Sequence, residues 1–284
     1  MKRILILLAA AAALCACSQE KKVMARFVPE RSDDFVFENN LIAGRFYGKA
    51  LEGNPTSPGL DIWVKLPGKL VADEWYKGFQ TESDAYYHHD HGGKDCYKVA
   101  VSLGGGASSP LIDGKLCYPA TNYRSWEIVE ESPEKVVFTL HYPQWQTPDS
   151  VMVALDKTVT VVPDTYFCAV EDVYTFEGTD TLAIAAGMNI HAALETVEKQ
   201  LVQPGRVAIW EHASDQTFEP EDGMLGVAVV MPDADGTSLS EDGTHLLVWK
   251  YVTSGQPVRY SFGSCWSKGD IKTAQDWFEL VANR

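Results

Sequence analysis

Between Tyr86 and Val99 the chain reads YYHHDHGGKDCYKV, which puts three of its seven histidines into four consecutive positions beside Asp90 and Asp95. Imidazoles change charge close to neutral pH, and a neighbouring carboxylate such as Asp90 or Asp95 fixes the tautomer, so one chemistry for this stretch is general acid/base catalysis. A second is metal binding at His88, Asp90 and His91, which needs the three groups to converge and seldom yields a full ligand set from four residues. A third is a solvated polar turn. On an extended chain His89 and His91 share one face while His88 and Asp90 share the other. Gly92-Gly93 then forces a turn, which puts the histidines at a strand end or in a loop, where binding groups are commonly displayed on a rigid scaffold.

Other reactive types stand far away in sequence. GMNIHAA sets Asn189 and His191 two apart, hence on one face of a strand, and IWEHAS puts Glu211 and His212 directly after Trp210. A short His/Asn/Glu set drawn from distant β segments is what a sugar-binding cleft uses. The eight tryptophans point the same way through stacking on sugar rings, although core packing accounts for most of them. Several familiar sites are missing. SLGGGASSP, residues 102–110, lacks the Gly-Lys-Ser/Thr ending of a phosphate loop, and neither G-x-S-x-G nor H-E-x-x-H occurs. The acidic turns PDADG and PEDGM do not complete a calcium loop.

The elements that must position these groups are β-type. LDIWVK alternates Leu60, Ile62 and Val64 against Asp61, Trp63 and Lys65, and KVVFTLHY alternates Val136, Phe138, Leu140 and Tyr142 against Val137, Thr139 and His141. KTVTVV, LAIAAG, LGVAVV and HLLVWKYV are further runs separated by turn dipeptides. Many short strands mean a sandwich or barrel. The clearest helix is terminal, KTAQDWFELVANR, with Trp277, Phe278 and Val281 on one face and Thr273 with Asp276 as a capping pair. ALETVEKQLV is a second, weaker helix candidate through Leu194, Val197 and Leu201.

The first residues, MKRILILLAAAAALCAC, combine a basic start, a short apolar run and small residues, so residues 1–16 are expected to be a signal peptide. Leu14-Cys15-Ala16-Cys17 resembles a lipobox, which makes Cys17 the expected lipid anchor of a cell-envelope lipoprotein, periplasmic side preferred. Residues 17–26 read as a tether and 27–284 as one domain. Loss of Lys2 and Arg3 leaves 22 basic against 39 acidic residues, a formal charge of −17. With no basic cluster, nucleic acid is excluded as a partner. Cys96, Cys117, Cys168 and Cys265 allow three disulfide pairings, and their spacing selects none.

ENNLIAGRFYGKAL, LDIWVK, YHHDHGGKDCYKVAVSLGGGASSPLIDGKL and FGSCWSKGDIKTAQDWF together resemble the Bacteroidota lipoprotein family catalogued as domain of unknown function 4861. The likeness runs from about residue 27 to the C-terminus. It implies an all-β fold, a large antiparallel β-sandwich of the galactose-mutarotase-like supersandwich type with a short C-terminal helix. It also implies a setting among polysaccharide-degrading enzymes, with uronate-containing plant or host glycan as the substrate class. Related supersandwich enzymes exchange anomers or cleave uronides by β-elimination. On that reading His88, His91, His191, Glu211 and Tyr97 move protons. Asp90, Asp95, Lys98, Asn189, Trp210, Trp266 and Lys268 contact the sugar, and no cofactor is required. β-Elimination is slightly preferred over hydrolysis or anomer exchange, and the alternative from another class is a non-catalytic glycan-binding lipoprotein.

Overall fold

The computed structural model describes residues 21–53, 58–191, 199–213 and 220–284. Residues 1–16, expected to be a signal peptide, and Cys17 lie outside the described residues. In chain order the strands begin with β1 (Val23–Val28), β2 (Asp34–Asn39), β3 (Ala43–Phe46), β4 (Leu60–Lys65) and β5 (Gly93–Lys94). The next are β6 (Ser108–Ile112), β7 (Lys115–Leu116), β8 (Ser125–Ser132), β9 (Lys135–Gln146), β10 (Met152–Val161), β11 (Phe167–Glu177) and β12 (Leu182–Asn189). The last are β13 (Lys199–Gln203), β14 (Arg206–His212), β15 (Met224–Val230), β16 (Gly236–Leu239), β17 (His245–Val252) and β18 (Pro257–Trp266). Among the described residues there are two α-helices, α1 (Ala72–Thr81) and α2 (Ala274–Ala282).

Neighbouring strands pair antiparallel in three sheets. β1 to β5 form one in chain order, the largest runs β13-β14-β15-β18-β11-β10-β9-β8, and the third runs β16-β17-β12-β6-β7. One continuous core lies between them. Leu60, Ile62 and Val64 of β4 meet Val136, Phe138 and Leu140 of β9, Ile184 and Met188 of β12 and Phe262 of β18. The expected antiparallel sandwich with a terminal helix is therefore what the chain builds, and the period-two patterns mark its inward faces.

The helices cover two outer faces. α2 begins at Thr273, whose hydroxyl accepts the Asp276 N–H at 3.2 Å and donates to the Asp276 carboxylate at 2.7 Å. It lays Trp277 and Val281 on Phe167, Trp210 and Cys265 of the large sheet. α1 was not expected, yet Ala72, Trp75, Tyr76 and Phe79 follow the helical spacing. Its N-terminus is capped from a distance: the Glu38 carboxylate on β2 accepts the Val71 and Ala72 N–H groups at 2.7 and 2.9 Å and takes Lys65 Nζ at 2.5 Å. The polar face of β4 is thereby buried, with Trp63 packed on Trp75 at 5.0 Å.

Some boundaries differ from the sequence reading. β1 starts at Val23, inside the segment read as tether, and Val23, Met24 and Ala25 are buried. Of the candidate helix ALETVEKQLV, residues 193–198 lie outside the described residues, and the rest is not helical but belongs to the strand Lys199–Gln203 paired with β14. Cys117, Cys168 and Cys265 are free buried thiols, so none of the three pairings forms. Among the described residues no helix is long and apolar enough to cross a membrane.

Candidate functional site

His191 follows the end of β12 and meets Glu211 of β14, with Nδ1 2.5 Å from Oε1. Its other nitrogen, Nε2, lies 2.9 Å from the carbonyl oxygen of Lys98, and Asn189 Nδ2 donates to the same oxygen at 3.2 Å. A carbonyl only accepts, so Nε2 donates to it, and the Glu211 carboxylate then accepts a hydrogen bond from Nδ1–H. The Tyr97 ring stands edge-on to the imidazole at 4.7 Å. The pair therefore holds a proton in a largely desolvated place, with the His191 side chain 10% and the Glu211 side chain 3% exposed.

The backbone explains why these groups meet. Tyr97 donates its hydroxyl to Asn189 O at 2.9 Å, and Asn189 N donates to Gly104 O at 3.0 Å. Gly104 has φ +59°, and a side chain there would strike Leu60 O at 2.1 Å, so the Gly-rich segment is a tight bend against β4, as its lack of a phosphate-loop ending suggested. It ties the His-rich segment to β12. Tyr97 is itself buried. That burial, with the charges of Glu211 and Asp61, lifts its pKa well above the ordinary value. Its hydroxyl is engaged by the Asn189 carbonyl and its ring packs edge-on against His191.

The opening stretch divides among several partners. Tyr86–His88 is a 3-10 turn, so the strand-parity argument does not hold for His88. His88 is half-buried, with Nδ1 3.2 Å from Asp95 O. The exposed His91 lies flat on Tyr86 at 3.9 Å, and Asp90 pairs with Lys268 at 2.9 Å while accepting the Gly92 N–H at 3.0 Å. These three groups diverge, and among the described residues no three His, Cys, Asp or Glu side chains are grouped to hold a metal ion.

Four of the expected sugar-contact residues are engaged within the protein. Asp95 belongs to a buried charge cluster: Arg45 donates to it at 2.6 Å and to Asp61 at 2.7 Å, with Asp34 at 3.5 Å. Burial opposes the Arg45 charge, but Asp61, Asp95 and Asp34 outweigh it and keep the guanidinium protonated. Asp95 braces the His-rich turn through this ion pair. Trp210 points away from Glu211 into the layer under α2. Trp266 is 2% exposed, donates to Asp222 O at 2.6 Å and is covered by Lys268 4.6 Å from its ring centre. Neither indole offers a free face to a sugar. Lys268 is held between Asp90 and Trp266, whereas the Lys98 side chain is exposed and remains a candidate clamp.

A family model described as domain of unknown function, DUF4861, matches residues 11–284. The chain belongs to the DUF4861 family. A protein named "Uncharacterized protein P7" from Formosa agariphila is 29% identical over 273 residues, covering 90% of this chain and 65% of that protein. The chain thus spans about two thirds of that relative's length. Among solved structures, the GH36 alpha-galactosidase AgaB from Geobacillus stearothermophilus is similar at 9% identity and TM-score 0.40, over 86% of this chain and 41% of that one. The 4-alpha-glucanotransferase from Thermococcus litoralis is similar at 8% identity and TM-score 0.36, over 86% and 40%. Likeness of this degree says nothing about what a DUF4861 chain binds.

Two groups near the site escaped the sequence reading. His245 opens β17 directly opposite Asn189, so both side chains share a face. Its Nε2 accepts the Leu103 N–H at 3.2 Å and lies 3.3 Å from the Tyr118 hydroxyl. Asp222 takes Lys94 Nζ at 2.8 and 3.0 Å in a buried ion pair that fastens the His-rich segment to the turn before β15. The signal for His245 was a polar residue at the mouth of an apolar strand. Nothing local marks Asp222.

Proposed function

We propose that this chain is a carbohydrate-active lipoprotein acting on uronate-containing oligosaccharides, with His191 and Glu211 as its proton-transfer pair. The observation that carries the reading is the clamped, partly exposed imidazole whose two N–H groups face Glu211 and Lys98 O. Such a group is an acid poised to protonate a sugar oxygen once that oxygen replaces the carbonyl as acceptor. β-Elimination is preferred. A base removes the proton on C5, the C4–O4 bond breaks as the C4–C5 double bond forms, and His191 protonates the departing O4. Lys98 supplies positive charge for the uronate carboxylate, and the base comes from the histidines of the Tyr86–His91 segment. Anchoring through Cys17 and a periplasmic position belong to the same proposal and rest on the lipobox-like sequence. Pectic and glycosaminoglycan polymers test the reaction, because elimination leaves a 4,5-unsaturated uronide that absorbs in the ultraviolet. A flat trace with unchanged chain length on every acidic polymer removes the lyase reading.

One observation favours a second reading, a glycan-binding module without turnover. Both His191 nitrogens are satisfied inside the protein, as they are in a purely positioning role. Saturable oligosaccharide binding with no product from the wild type, and unchanged affinity in His191→Ala, establishes the module.

A further inference from the structure

A cavity of about 480 Å3 opens between the turn joining β6 to β7 and the turn joining β16 to β17. Its size falls in the range of small-ligand sites, roughly 300–1,000 Å3. Leu116 and Tyr118 supply apolar surface, and Lys115, Ser240, Glu241 and Asp242 supply polar groups. Asp242 Oδ1 is saturated by Ser240 Oγ at 2.6 Å, Thr244 N at 3.0 Å and Thr244 Oγ1 at 2.7 Å, and none of these bonds uses Oδ2. Two carboxylates against one ammonium make the lining net negative, which disfavours an anionic occupant. An aromatic ring beside hydrogen-bond acceptors suits an uncharged, hydroxyl-rich ring.

The cavity is linked to the His191 pair through neighbouring residues. Tyr118 of the wall is 3.3 Å from His245, His245 stands opposite Asn189, and Asn189 Nδ2 is 3.4 Å from His191 Nε2. Asn189 Oδ1 is buried and has no hydrogen-bond partner among the described residues. We infer that the cavity at Tyr118 is a subsite for a neutral sugar residue, so that the chain takes a glycan in which a neutral sugar adjoins the uronate, in preference to a polyuronate. This deepens the proposed function and rests on it for the position of the uronate.

Titration calorimetry of the full chain with a panel of neutral trisaccharides, and with oligogalacturonate of the same length, tests the subsite. Saturable binding of a neutral trisaccharide is expected. Leu116→Trp, which fills the cavity, should weaken it about tenfold or more, and Tyr118→Phe, which removes one hydroxyl, by about fivefold. The two variants check each other, since Tyr118→Phe keeps the fold if Leu116→Trp disturbs it. Absence of saturable neutral-sugar binding, or Leu116→Trp and Tyr118→Phe both binding as the wild type does, overturns the subsite. So does tight oligogalacturonate binding that Leu116→Trp abolishes. Binding blocked by Leu116→Trp in a protein that turns nothing over retains the subsite and removes the reaction. Turnover of mixed glycans at the wild-type rate by Leu116→Trp does the reverse.

Discussion

His245 should make the fold acid-sensitive in a window that can be calculated. Burial lowers its pKa from 6.5 to about 4, against the opposing pull of Asp242. In the unfolded chain it titrates at its ordinary value, so between those two pH values the unfolded state binds more protons and stability rises with pH. The contribution is fully present above about pH 6.5 and is lost as the pH falls to about 4. At about 1.4 kcal/mol per pH unit it amounts to about 3 kcal/mol. Asp242 does not blur the window. Hydroxyl donors on Ser240 and Thr244 depress it to about 2, so its own contribution is lost only below its ordinary value of 3.8. The comparison is wild type against His245→Gln, which keeps an acceptor for the Leu103 N–H but cannot titrate. Denaturant unfolding from pH 7.5 to pH 4 should show the wild type losing about 3 kcal/mol more than the variant. Parallel stability curves would refute the claim that His245 is held neutral by its surroundings.

Other parts of the account answer to simpler measurements. Lys94→Met leaves Asp222 buried without its cation and should cost about 3–5 kcal/mol in chemical denaturation; a loss under about 1 kcal/mol would mean that water or another group replaces the ammonium. Trp277→Ala should cost about 3–5 kcal/mol, because the ring is buried against Phe167 and the large sheet; an unchanged midpoint would show that α2 is dispensable. Cys17→Ala should move the protein from the membrane to the soluble fraction of a cell lysate, and a soluble wild type contradicts the anchor.

What the sequence made legible was what short-range periodicity encodes. The alternations in β4 and β9 identify the inward faces, and Thr273 with Asp276 marks the start of α2, because donor and acceptor lie within four residues. α1 kept its apolar spacing but its cap is Glu38, more than thirty positions upstream, so no local start signal exists. The site behaved likewise. Asn189, His191 and Glu211 were named from their place at strand ends and do converge. Asp95 and Trp210 have the residue types of a sugar site, yet Arg45 claims one and α2 the other, and neither partner is visible in a local window. Residue type tells what a side chain is able to do, and tertiary partners decide whether it is free to do it.

The central claim is that His191, backed by Glu211, delivers a proton to sugar, and the most direct test is kcat/KM of His191→Ala and Glu211→Gln on a uronate-containing oligosaccharide that the wild type turns over. Each variant should lose about a hundredfold or more. The two losses should be far from additive in the double variant, since the groups act as one unit. A folded His191→Ala protein that keeps its rate within about twofold contradicts the account, because loss of a true acid/base group costs roughly 10²-fold or more.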